Sequence, residues 1–365
     1  MEVFKMKTNN SKTKAKALKT TRAAALITAA TLTLALMFLG CKQPETPEPP
    51  APPPVRYVVL TIGAKNPIQV KAKTADGSDI AVEGCHQKNL KNNQKTTLTA
   101  TGQKVILKGN IIELNCEDNQ LTAIDVKGCP ALKVLVCPLN KLTELNVQGL
   151  TALREVDARK NEITKLNVKG CTALWSLDVD TNKLTELDVK GCTSLEKLYC
   201  GHNNFTNFDL KSYNVKTLSC GGNGFTNLEV KGTTLVDLYC GETPSLTSLK
   251  VEDAPNLITL GCNDSSLTSL TIKNCPKLKY LDCFHNKLEA AAFIQIFNDL
   301  PMRAAGAEGE IKLYRTVDGN EGNVTDFTSA SAPQDLKTAF NEAKTNKPWG
   351  MKHFTPSNTG WANIQ

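Results

Sequence analysis

Asparagine recurs in this chain with a fixed step. Asn119, Asn140, Asn161, Asn182 and Asn203 fall 21 residues apart, Asn223 follows after 20, and Asn286 returns in phase near the end. Each lies inside one phrase, as in Leu114-Asn115-Cys116-Glu117-Asp118-Asn119-Gln120-Leu121. A constant step of roughly 20–50 residues means stacked like units. Such a stack builds a long surface, so binding is the first functional expectation and catalysis a distant one.

The unit reads L-x-x-L-x-C-x-x-N-x-L-T-x-L-x-V-x-G-C-x-x. Its first apolar column is Ile111, Leu132, Leu153, Leu174, Leu195, Val215, Leu235, Leu257 and Leu278, which counts nine coils. The second column runs from Leu114 to Leu281, and the third holds Cys116, Cys137, Ala158, Val179, Cys200, Cys220, Cys240, Cys262 and Cys283. Alternation around L-x-C, and again around L-x-V, predicts two short strands per coil. Too few residues lie between them for a helix. One coil buries little by itself, and stacking places like over like to give a continuous core. At about 4.8 Å per strand, nine coils span roughly 40 Å. Each asparagine is expected at a bend, its amide bonding backbone groups that the turning chain leaves unpaired.

The repeated L-x-x-L-x-C-x-x-N-x-L phrase matches the leucine-rich-repeat signature. Residues 111–290 resemble bacterial leucine-rich-repeat proteins, in particular the 21-residue class with cysteine in the conserved segment. Departures are local. Thr243 and Ser265 replace asparagine, which predicts looser coils there. One residue is added between Cys240 and Leu246, and one is missing before each of Val215 and Leu235. The expected fold is a β-rich solenoid of nine coils (111–288) between a β capping unit (55–110) and an α/β C-terminal cap (289–365). In the first cap, residues 57–62, 68–74, 95–101 and 104–109 alternate as strands do. In the second, Leu288, Ala292, Phe293, Ile296, Phe297 and Leu300 share a helical face that Pro301 ends. Residues 310–315 read as a strand and 334–344 as a helix. The last twenty residues hold Trp349, Phe354 and Trp361, enough to close a small cap.

The formal charge of +7 comes from 43 basic and 36 acidic residues. Residues 1–40 hold seven of the basic residues and one acidic residue, so the remainder carries 36 and 35, a net charge of +1. A near-neutral body does not suit nucleic acid, which requires clustered cations. Within residues 1–40 a basic stretch precedes the apolar run 23–39 and then Gly40-Cys41, the layout of an export signal. It looks like a bacterial lipoprotein signal, with Cys41 as the lipidated mature N-terminus, although Phe38 and Leu39 depart from the usual lipobox. A retained membrane anchor is the alternative. Residues 41–54 form a proline-rich spacer that favours extended polyproline II and would hold the body away from a lipid-anchored end.

Thirteen cysteines invite a metal or redox reading, but their positions oppose it. Seven occupy the third core column, and Cys129, Cys171, Cys192 and Cys275 repeat in a second slot. Cysteine packs well as a small apolar residue. No Cys-x-x-Cys occurs, and parallel stacked thiols fit disulfide geometry poorly. Buried reduced thiols, no metal and no cofactor are therefore expected. The four histidines (His86, His202, His285, His353) accompany no nucleophile elbow and no phosphate loop, so no enzyme is expected.

Residues between core positions face outward. Low on the solenoid they include Asp157, Arg159 and Asp178; higher up come Tyr199, Tyr239, Tyr280 and Phe284. Exposed tyrosine is enriched at interfaces, and aromatics make up only 5% of this chain, so these seven residues are the expected partner-binding positions. Beyond the L-x-V strand, Lys127, Lys169, Lys190, Lys211, Lys231 and Lys273 interleave with acids as a solubilising surface. The resemblance implies a monomeric lipoprotein at the outer membrane or cell surface. It would act as an adhesin toward host matrix proteins, host cells or another bacterial surface protein. A structural envelope lipoprotein with no soluble ligand is the alternative, and a glycan-acting enzyme would need a catalytic pair in the terminal regions.

Overall fold

The computed structural model describes residues 56–207, 215–304, 306–315, 322–354 and 360–364. The export signal, Cys41 and the spacer lie outside the described residues, as do Lys211 and the apolar position Leu210. Among the described residues no helix is long and apolar enough to cross a membrane.

The L-x-C phrases form nine strands, from Ile111–Asn115 to Tyr280–Asp282, that pair in parallel with leucine facing leucine, except that Val156 takes leucine's place in the third strand. Nine strands enclose about eight full turns of a leucine-rich-repeat type β-solenoid. The columns predicted to be apolar are its core. Leu135, Leu177, Leu218 and Leu260 are fully buried, and so are Cys116, Cys137, Ala158, Val179, Cys200, Cys220, Cys240, Cys262 and Cys283. All twelve described cysteines are buried. Burial pushes the Cys116 and Cys240 thiols up to about 12, which leaves almost no nucleophilic thiolate near neutral pH.

The strand exit is held by an asparagine ladder. Asn140 Nδ2 donates to Cys137 O in its own coil and to Cys116 O in the coil before, both at 3.0 Å. Its Oδ1 accepts from the backbone N–H groups of Asn119 (3.1 Å) and Leu121 (2.9 Å). Asn161, Asn182, Asn203, Asn223 and Asn286 repeat the bridge between coils. Where Thr243 replaces asparagine, its hydroxyl donates to Cys240 O and Gly241 O within its own coil and accepts from Gly222 N–H. Ser245, beside the inserted residue, adds a bond to Phe225 O at 3.0 Å.

The residue before each ladder position is left-handed. Asp118, Leu139, Lys160, Thr181, His202, Glu242, Asp264 and His285 have φ between 48° and 57°, and Gly222 occupies the slot between His202 and Glu242. L-residues other than glycine lose roughly 1–2 kcal/mol there. The amide bonds on either side hold the turn in that conformation.

The second strand column is less regular than the expected two strands per coil. It forms at Ala123–Asp125, Glu144–Asn146, Lys165–Asn167, Asn227–Lys231, Ser248–Glu252 and Ser269–Lys273, but residues 186–188 form no strand. The next two coils are each one residue short. Leu187 is half-buried, whereas Leu145 and Leu249 are buried.

Both ends extend the sheets. Ile68–Thr74 pairs antiparallel with Ile111–Asn115, and Tyr57–Thr61 pairs antiparallel with Ala123–Asp125, so the N-terminal β unit covers the open edge of both columns. At the other end Gly309–Arg315 and Trp349–Phe354 continue the main sheet in parallel, and Ala362–Asn363 closes it antiparallel. Helices α1 (Ala290–Asp299) and α2 (Gln334–Thr345) seal the core with Phe293, Phe297, Phe327 and Phe340, whose ring centroids lie 5.1–6.0 Å apart. The ladder also continues where the repeat phrase is lost. Asn323 donates to Cys283 O (2.9 Å) and Leu313 O (2.8 Å) and accepts from Leu288 N–H (2.9 Å).

Candidate interaction face

Because side chains alternate across a strand, the residues flanking each buried leucine stand on the outer face of the main sheet. The parallel register joins one set into a continuous row: Asp157, Asp178, Tyr199, Ser219, Tyr239, Gly261 and Asp282. Four of the expected partner-binding residues thus share one line, with Tyr199 and Tyr239 two strands, roughly 10 Å, apart. Tyr280 stands in the adjacent row beside Thr259. Tyr239 and Tyr280 are 44% and 40% exposed, and Tyr199 is half-buried.

Phe284 departs from expectation. It is 9% exposed because Trp361 lies against it with ring centroids 4.9 Å apart, and Phe354 packs on Trp361 in turn at 5.9 Å. Phe284 is a seat for the C-terminal segment and is not open to a partner.

Asp157, Arg159 and Asp178 come together as the period requires. Arg159 reaches Asp157 at 3.4 Å and Asp178 at 3.7 Å. Burial raises Asp178 to about 6, with the neighbouring Asp157 adding to the rise while the Asp180 N–H and Arg159 oppose it. Asp157 is raised as well, again chiefly by burial. The cluster is therefore a partly desolvated patch whose charge depends on pH.

Trp175 is a surface aromatic that lies outside the predicted outward positions. It sits one residue before its strand, 37% exposed, with Lys197 Nζ 5.0 Å from the ring centroid. Its rarity in a chain with three tryptophans was the available signal. The described lysines beyond the L-x-V strand (Lys127, Lys169, Lys190, Lys231 and Lys273) are all exposed. Among the described residues no three His, Cys, Asp or Glu side chains converge as a metal site.

No family model matches the sequence, and no curated protein matches it. Several solved structures are similar to it. The functional domain of InlJ from Listeria monocytogenes, described as including a cysteine ladder, is 25% identical over 55% of this chain and 58% of that one, with a TM-score of 0.30. The Leptospira interrogans leucine-rich-repeat protein LIC12759 is 18% identical over 67% of this chain and 66% of that one (TM-score 0.41). YopM from Yersinia enterocolitica is 22% identical over 50% and 42% (TM-score 0.32). The match thus spans less than two thirds of the InlJ chain.

Proposed function

We propose that this chain is a protein-binding module that engages its partner on the outer face of the main sheet, centred on Tyr199, Tyr239 and Tyr280. The supporting observation is the row from Asp157 to Asp282. It places the exposed Tyr239, the half-buried Tyr199 and partly desolvated acids on a regularly spaced surface, with the exposed Tyr280 in the adjacent row, while the apolar columns are buried inside. Tyrosine supplies wide contact area with little conformational entropy to lose, as interface anchors require. The Gly40-Cys41 junction and the proline-rich spacer support the finer reading, a lipid-anchored adhesin at the bacterial surface that attaches to host proteins, host cells or other bacteria.

Capture from host extracellular matrix by the mature chain tests it. Replacement of Tyr199, Tyr239 and Tyr280 by alanine should reduce capture at least tenfold while circular dichroism stays unchanged. Undiminished capture by a folded triple variant would remove this face from the assignment. Protease treatment of intact cells tests location: a surface adhesin is shaved, and a protein facing the periplasm is spared.

A further inference from the structure

One hollow on the same face has walls that specify what fits. Its floor is the backbone of Gly201, Gly221 and Gly241, three stacked coils in succession. A Cβ on Gly221 would collide with Gly241 O, so the floor is held flat by contact between coils. The glycines also let neighbouring side chains lean inward. Asp180 Oδ1 lies 2.5 Å from where a Gly201 Cβ would stand, and Asn263 Oδ1 lies 3.3 Å from the equivalent point on Gly241. The Tyr239 ring rests on Gly261 and forms one side. His202 and Glu242, 3.5 Å apart across Gly222, form the other. The hollow offers about 170 Å³ and is open to solvent.

The polar groups around this hollow are mainly acceptors. Asp180 and Glu242 are carboxylates, and Asn263 commits its amide N–H to Asp264 Oδ2 (2.6 Å), which leaves its carbonyl oxygen over the floor. Among the described residues no lysine or arginine lines it. A flat floor, an aromatic wall and carboxylates on separate sides suit a planar cation with several donors in one plane. A compact ammonium would meet fewer of these groups at once. An aromatic ring face adds cation–π attraction.

We propose that this hollow receives the guanidinium group of an arginine side chain on the partner protein. The inference rests on the sheet face being the binding face and adds the chemistry of one anchor. The test is titration of the ¹⁵N-labelled full chain with a short capped peptide carrying one arginine, alongside its lysine and citrulline counterparts. The arginine peptide should shift the backbone amide signals of Gly201, Gly221 and Gly241 saturably, the lysine peptide should bind at least tenfold more weakly, and the neutral citrulline peptide should leave these signals in place. Glu242→Gln and Asp180→Asn keep side-chain shape, and each should weaken the arginine peptide at least fivefold without altering the rest of the spectrum. Equal binding of all three peptides, shifts confined to another surface, or indifference to both substitutions would overturn the assignment. An inert arginine peptide together with loss of matrix capture in the tyrosine variant would remove the arginine anchor and leave the face. Binding of the peptide here with capture unchanged in the tyrosine variant would do the reverse.

Discussion

The two sides of each coil obey different rules. At the strand exit, an asparagine in most coils, and Thr243 or Ser265 in two of them, bonds backbone groups of two coils, and the preceding residue is left-handed. On the opposite side, the second strand column forms strands in most of the described coils but none at residues 186–188, with no loss of stacking in the main sheet. Sequence is constant where a sharp turn strips backbone N–H and C=O groups of partners, since buried unpaired groups cost about 1–3 kcal/mol each. It drifts where the chain stays extended and water or a neighbouring strand can serve.

The sharpest way to break this contrast is Asn182→Ala. It orphans Ile163 N–H and removes donors from Ala158 O and Val179 O, so a loss of about 3–5 kcal/mol is expected in urea unfolding. Leu187→Ala, on the lax side, should cost only about 1–2 kcal/mol, because the side chain is already half-exposed and leaves little cavity. Equal losses at the two positions would refute the contrast.

A third comparison is with pH. Folded Asp178 keeps its proton up to about 6, while the unfolded carboxyl releases it near 3.8. The folded state therefore binds the proton more tightly. The stability this adds is fully present below the unfolded value and is lost as pH rises through about 6. Asp178→Asn should therefore stabilise the chain at pH 7–8 and change little at pH 4, as read from thermal midpoints at both pH values. A gain that is the same at both would show that ionisation is not its source.

The smallest effect is expected at Thr181, a β-branched residue at φ 56°. Thr181→Gly relieves the left-handed strain but adds unfolded-state freedom, so a net gain of about 0.5–1 kcal/mol is expected in the same urea titration. Destabilisation would mean that the Thr181 hydroxyl, 3.4 Å from Asp180, matters more than its backbone angle.

These results mark what the sequence disclosed. The core columns and the asparagine turn were legible because their period is set by backbone geometry that every coil shares. The meeting of Asp157, Arg159 and Asp178 followed from the same period. Asn323 was not legible, since 37 residues separate it from Asn286 and no repeat phrase surrounds it; only its bonds to Cys283 and Leu313 reveal its place. Phe284 misled because its outward slot is real, but its cover, Trp361, comes from a distant segment that has no period. The coil at residues 186–188 carries the same Leu187-x-Val189 pattern as the coil of Lys165–Asn167 yet forms no strand, so local alternation alone did not decide it. The glycine-floored hollow has no local sequence signature, because its walls lean inward across coil boundaries.

A ladder in which every rung grips the one beneath has an ancestral corollary. A duplicated stretch of 21 codons would bring its own rung and find a compatible seat at any height. Losing such a stretch would close the gap with an equivalent one. The outer sheet of this protein could therefore lengthen or shorten in single steps, while both end pieces, including the rung supplied by Asn323, stay unaltered.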